Sequence, residues 1–412
     1  MKKILLVAYH YPPEGSSSGV LRTLKFSKYL PQLGWTPHIL TLNDQFYTLR
    51  DPGLTQEIPQ EVRVYRTWAL DTMKSLSLWG YHLDLLTIPD RLIGWVPFAV
   101  KKGLEIINKE GIDAIFSTSP YSTTHLIAAA LKKKTGVRWI ADFRDPWIEE
   151  GLYPPPGTLR CWIEKHLEKK IVQFADRITV TTSRFRDDFA QRYPDIPCQK
   201  FQVIFNGYDD KDFDSTPPQN PNGYFEILHA GQVNADFRDP FPFLEALHLL
   251  IRDGEIAVSE VKVTFLGGGD YVTSAGFVHK INELGLKKVV SVVNRVSYAE
   301  SLKRQKAATV LLLLQDSSDT NTLIPAKAFE YLRLARPVLA LTREGATTDL
   351  LEEFEGCFWK ESIDSKGIKT MLQGLYGQWK TEKIHRPIVR SIEKYERRNL
   401  TKELSYILNA LV

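Results

Sequence analysis

The chain has 412 residues, 43% of them hydrophobic, which is long enough and apolar enough for two domains with a core each. Its 53 basic and 49 acidic side chains leave a formal charge of +4, too small to indicate a nucleic-acid binder. The three cysteines, Cys161, Cys198 and Cys357, have neither zinc-ligand nor disulfide-framework spacing, and no apolar run has the length of a signal peptide or membrane span, so a reducing, cytoplasmic setting is expected.

In chain order, residues 3–9 read as a buried strand, 21–33 as a helix closed by Gly34, and 36–42 as a second strand, a βαβ opening. The loop between them, Pro12-Pro13-Glu14-Gly15-Ser16-Ser17-Ser18-Gly19, is rich in small residues that let backbone amides approach an anion at the positive end of the next helix. It matches neither the Walker A nor the GxGxxG pattern, which disfavours nucleotide hydrolysis and dinucleotide binding, and a plain surface turn is the alternative.

Residues 43–98 are irregular and aromatic, with Trp68, Trp79, Tyr81, Trp95 and Phe98 set among leucines. Together with Lys101, Lys102, Lys132, Lys133 and Lys134 they could rest on an anionic membrane and admit a lipid-linked acceptor, or simply pack the domain under solvated lysines. A helix over 99–110 follows, then strands near 114–116, 139–141 and 177–181. Ser122-Thr123-Thr124-His125 places an imidazole after the first of these strands, where it is either catalytic or structural. Asp142, Arg144 and Asp145, closed by Pro146-Trp147, form either a polar lip for a hydroxyl-rich substrate or an internal Arg-Asp latch.

Residues 194–223 shift to Pro, Asp, Asn and Gly, an interdomain linker by composition. A second α/β set begins with strands at 224–229, 261–266, 289–293, 309–314 and 338–341. His229-Ala230-Gly231-Gln232 closes the first strand, and Arg238 beyond it can hold phosphate oxygens or pair with Asp236 or Asp239. Gly267-Gly268-Gly269 suits either close approach of a nucleotide base or an ordinary turn. Pro325 opens a short helix that carries Lys327 and Glu330 and ends before Pro337, putting Glu330 where a carboxylate could accept both ribose hydroxyls. Residues 386–411 read as one long amphipathic helix that packs back on the first domain.

Taken together, Tyr9-His10-Tyr11-Pro12-Pro13, the run from Trp139 to Trp147, Phe205-Asn206-Gly207-Tyr208-Asp209 and the run from Pro325 to Leu332 resemble family-4 glycosyltransferases. The resemblance implies a GT-B architecture, two Rossmann-like doubly wound α/β domains facing across a cleft, with 1–205 binding the acceptor and 206–385 the nucleotide-sugar. It further implies metal-independent, anomer-retaining transfer to a glycan or lipid-linked acceptor, with no cofactor, no metal and no nucleic acid, at the inner face of a membrane. By that resemblance the donor side comprises Gly15, Ser18, Gly19, Gly231, Arg238, Gly268, Asn321, Thr322, Lys327 and Glu330. Arg238, His125 and Lys327 are the candidate catalytic groups, and Asp142, Arg144, Asp145 and Trp95 the acceptor-side candidates. Two positions depart from the family pattern. Thr322 stands where the first acid of an E-x7-E pair is expected, and Gln232 where an arginine is expected. A nucleotide-sugar epimerase and a noncatalytic nucleotide-sugar-binding subunit are the alternatives.

Overall fold

A computed structural model describes residues 1–75, 84–148, 155, 157–213, 223–316, 321–382, 384 and 392–412. Their contacts group into two compact units, Met1–Asn206 with Arg397–Val412, and Gly207–Glu396.

The first unit is built from β1 (Lys2–Val7), α1 (Gly19–Tyr29), β2 (Trp35–Leu42), α2 (Pro52–Gln56), β3 (Arg63–Thr67), α3 (Thr72–Ser75), α4 (Val96–Glu110), β4 (Ala114–Thr118), α5 (Thr123–Thr135), β5 (Arg138–Phe143), α6 (Leu159–Phe174), β6 (Arg177–Val180), α7 (Ser183–Arg192) and β7 (Phe201–Val203). Its seven strands run in the order β3-β2-β1-β4-β5-β6-β7, and every pairing is parallel. Central strands such as β4 are buried along their whole length, as a parallel sheet covered by helices on both faces requires. The order reverses between β1 and β4, so the loops leaving their carboxyl ends splay apart into a crevice.

The second unit repeats the plan with β8 (Phe225–Ala230), α8 (Phe241–Arg252), β9 (Val261–Leu266), α9 (Ala275–Glu283), β10 (Val290–Val293), α10 (Tyr298–Ala307), β11 (Val310–Gln315), α11 (Ala326–Arg333), β12 (Val338–Thr342), α12 (Ala346–Glu352), β13 (Cys357–Lys360) and α13 (Ser365–Lys380). The strand order is β10-β9-β8-β11-β12-β13, again all parallel, and it reverses between β8 and β11. β11, Val-Leu-Leu-Leu-Leu-Gln, is wholly buried. Pro325 stands at the cap of α11, and Ala335 turns left-handed (φ 51°) to end it ahead of β12.

Of the long helix expected over 386–411, residues 386–391 lie outside the described residues, and the remainder is a 3-10 turn at Ile392–Tyr395 followed by α14 (Arg397–Asn409) rather than one helix. Between them Glu396 donates its amide to Glu393 O at 3.1 Å and forms a bridge with Tyr208. Leu400, Leu404 and Leu408 of α14 join Phe26, Leu30 and Trp35 in the core of the first unit, and the Trp35 indole N–H donates to Asn409 Oδ1 at 3.2 Å.

Candidate functional site

In the second unit the loops leaving β8 and β11 meet at the point of strand reversal. Lys327, on the first turn of α11, extends its ammonium to the Ala230 carbonyl at 2.5 Å and to within 3.5 Å of His229 Nε2. Burial, then the charge of Arg238, pull this lysine down to about 7 against the opposing pull of Glu330. Gly231 has φ 113°, and a Cβ there would sit 2.7 Å from Lys327 Nζ, so the glycine fulfils two demands, a left-handed backbone and room for the ammonium. Gly231→Ala is therefore expected to cost about 1 to 3 kcal/mol of stability by thermal melting and to displace Lys327.

Glu330 lies one turn beyond Lys327, fifth in α11 rather than at its start, and is only 7% exposed. The Tyr298 hydroxyl donates to its Oε1 at 2.9 Å and fixes the carboxylate's orientation. Arg238 follows β8 in a loop held by Asn234, whose Oδ1 accepts from the amides of Phe237 and Arg238 at 2.8 and 3.2 Å. Among the described residues its guanidinium forms no ion pair, so the alternative pairing with Asp236 or Asp239 is not adopted. Three cationic or carboxylate groups thus gather at one strand-reversal point.

Other donor-side expectations fare differently. The space a Gly268 side chain would need is filled by Val272 at 2.7 Å, and the Gly268 carbonyl accepts from the Val233 amide, so this glycine serves packing. Asn321 and Gln232 are exposed and Thr322 is half-buried. His229 opens the motif that closes β8, but the sequence pattern gives neither it nor Tyr331 a role there. The His229 ring lies within hydrogen-bonding distance of Leu312 O through Nδ1 at 2.9 Å, and the Tyr331 hydroxyl accepts from the Ala230 amide at 3.1 Å. No local pattern announces either, because each partner is about 80 or 100 residues away.

In the first unit the glycine-serine loop is pinned. Gly15 donates its amide to Leu49 O at 3.0 Å and a Cβ there would lie 2.9 Å from the Asp51 nitrogen, so that amide is not offered to a ligand. Ser18 is exposed at the start of α1 without a side-chain cap. The position of a Gly19 Cβ is taken by Arg144, whose Nη1 would be 1.5 Å away. Arg144 lies over the start of α1, pairs with Asp145 at 2.8 Å, and has its amide fixed by the Ser119 hydroxyl at 2.9 Å.

Three first-unit candidates are buried with partners inside their own unit. Asp142 is fully buried and accepts from Arg22 twice (2.9 and 2.6 Å), from Thr118 and from Thr179 (both 2.7 Å), so all its bonding capacity is spent inside the unit. Burial alone would raise its pKa, but the Arg22 guanidinium outweighs it and holds the carboxyl below the usual range. Within the run Arg144 pairs with Asp145, as the latch alternative has it, whereas Asp142 is held from outside the run by Arg22, which also ties down the carbonyls of Ile204 and Phe205 at 3.0 Å. Trp95 is buried with its indole N–H on Thr67 Oγ1 at 2.7 Å, so it packs the unit rather than touching an acceptor. His125 is likewise at 0% exposure, paired with Ser117 Oγ at 2.8 Å and stacked on Phe143. Burial drives its pKa down to about 3, leaving a neutral ring that no solute reaches in this conformation.

Of the aromatic segment, Trp68 and Phe98 are exposed and pack edge to face at 4.9 Å, whereas Trp79 and Tyr81 lie outside the described residues. Lys102 pairs with Glu105 and Lys132 with Asp176, while Lys101, Lys133 and Lys134 are at the surface or nearly so. No helix among the described residues is long and apolar enough to cross a membrane.

Residues 19–207 match the family model of the glycosyl transferase 4-like domain. No curated protein matches the sequence. Among solved structures, Anabaena HepE in complex with UDP superposes with a TM-score of 0.70 at 14% identity, all of both chains being covered. A glycosyltransferase from Rickettsia africae gives 0.67 at 15% identity over 100% of this chain and 98% of that one. A lipopolysaccharide outer core galactosyltransferase in its apo form gives 0.61 at 14% identity over the whole of both chains.

Proposed function

Because residues 19–207 match the model of the glycosyl transferase 4-like domain and the chain shares the GT-B fold of these neighbours, we propose that it moves a sugar from a nucleoside-diphosphate sugar to a hydroxyl acceptor, with retention at the anomeric carbon and without a metal. The observation that carries this reading is the approach of Lys327 to Gly231, with Glu330 one turn further on, at the strand reversal of the second unit. An anion at that point meets the Lys327 ammonium and the Arg238 guanidinium, and the oriented Glu330 carboxylate is suited to two vicinal hydroxyls such as those of a ribose.

Charge that builds on the departing diphosphate is stabilised by those two cations, which supply in place of a divalent ion the electrostatic term that dominates such transfers. The acceptor hydroxyl attacks from the face the diphosphate leaves, and its proton passes to the leaving phosphate oxygen. The acceptor is a glycan or lipid-linked saccharide of the cell envelope, reached at the cytoplasmic face of the membrane, where exposed Trp68 and Phe98 beside Lys101 offer an interfacial edge.

Calorimetric titration of chelator-treated protein with UDP, GDP, ADP and TDP tests the donor half. One nucleotide should bind, and Glu330→Gln should weaken it by roughly 10- to 100-fold, the worth of a charge-assisted hydrogen bond. Binding of none of the four would remove the reading.

A further inference from the structure

The transfer scheme leaves the His10 imidazole unused, yet the loop after β1 is arranged around it. His10 Nδ1 lies 2.7 Å from Glu14 Oε2, and Glu14 is fixed by the Ser16 amide at 2.6 Å and by the Ser16 hydroxyl. A carboxylate at that distance accepts from Nδ1–H, which leaves Nε2 as the bare acceptor. Among the described residues Nε2 has no hydrogen-bond partner. His10 and Glu14 are 7% and 1% exposed, so this is a built pair rather than a surface contact.

His10 lines a cavity of about 570 Å³ within the first unit, together with Met73, Tyr121, Pro146, Trp147 and Arg160. The cavity opens where the loop after β1 meets the loop after β4, which is where the strand order reverses and where open parallel sheets take their ligands. Its charged groups are already matched. Arg91 pairs with Asp71 at 2.8 Å, Arg160 with Glu164 at 2.7 Å, and Asp90 accepts from Thr123 and Leu92. The rest of the lining is aromatic and apolar wall with Thr87, Ser122 and the His10 imidazole among it. The Tyr121 ring is set beside it, 6.1 Å from His10 and 4.4 Å from Tyr9. An uncharged ring with an apolar face and hydroxyl edges fits this lining, and an anion does not.

We infer that this cavity holds the sugar ring of a glycoside, one hydroxyl donating to His10 Nε2 while the apolar face of the ring lies on Tyr121. Calling that glycoside the acceptor rests on the transferase reading, whereas its binding does not.

The test uses the full chain, the methyl glycosides of glucose, galactose, mannose and N-acetylglucosamine, and diethyl pyrocarbonate, with carbethoxylation read histidine by histidine in peptide mass spectra. At a concentration of roughly ten times its Kd, at least one glycoside should slow modification of His10 about tenfold, as occupancy of a single site requires, with exposed His279 unaffected as the internal control. Saturation-transfer signals from that glycoside should vanish in His10→Ala and return in part in His10→Gln, whose amide oxygen can replace Nε2. The UDP titration should stay unchanged in both variants. Failure of all four glycosides to protect His10, or a His10 that the reagent never modifies, overturns the inference. Protection without nucleotide binding would leave the cavity inference standing and remove the donor reading instead.

Discussion

Asp142→Ala is expected to destabilise the first unit by about 3 to 5 kcal/mol, read as a fall in the denaturant midpoint. The substitution strands the Arg22 guanidinium, which is 1% exposed, without its counter-charge, and leaves the Thr118 and Thr179 hydroxyls without their acceptor. A buried charge with no partner is far costlier than the pair is favourable. The double variant Arg22→Leu, Asp142→Leu should therefore lose less than Asp142→Ala alone. The pH dependence follows from the depressed carboxyl. Above its ordinary value of 3.8 the charged, paired form gives its full contribution, and as pH falls through the lower folded value that contribution is lost. Acid unfolding of this unit should thus shift to higher pH in Asp142→Asn, measured by circular dichroism between pH 5 and 2.

Lys327→Met should have the largest effect on ligand binding. We expect nucleotide affinity to fall by about 100-fold, since a charge-assisted contact to phosphate is lost and of the two cations Arg238 alone remains. The pH behaviour separates this from a packing defect. The folded lysine titrates at about 7 against an ordinary 10.5, so between those values the unfolded chain binds more protons and stability rises with pH; below about 7 the full penalty of the buried charge is felt. A bound diphosphate favours the charged form, so at pH 8 binding should take up a proton. Titrations in two buffers of different ionisation enthalpy should give different heats for the parent protein and equal heats for Lys327→Met.

The β11-α11-β12 region could be read from the sequence because its signals are local. Leu311 to Leu314 and Val338 to Leu341 are unbroken apolar runs, Pro325 marks the helix start, and Lys327 and Glu330 are spaced to share a face. β3, β7 and β13 were not legible for a related reason. As edge or near-edge strands they are only partly buried, and Arg-Val-Tyr-Arg-Thr or Cys-Phe-Trp-Lys carries no continuous apolar pattern. Polar residues at strand ends were legible by position but not by direction. Asp142 stands at a strand's carboxyl end, as a ligand-binding residue would, yet its side chain is claimed by Arg22, 120 residues away. His10 was quoted only as part of a motif, because nothing in Tyr-His-Tyr-Pro-Pro says that Glu14 would fold back onto its ring.

The contribution of α14 to the first unit has a consequence for biosynthesis. When Asn206 leaves the ribosome, the first unit still lacks Leu400, Leu404 and Leu408, and the nascent chain must extrude about 190 further residues before they arrive. During that interval Phe26, Leu30 and Trp35 present an uncovered apolar face, the kind of surface that chaperones hold and that promotes aggregation. The second unit has all of its own strands before then, so vectorial synthesis favours an order in which the segment made later is completed first.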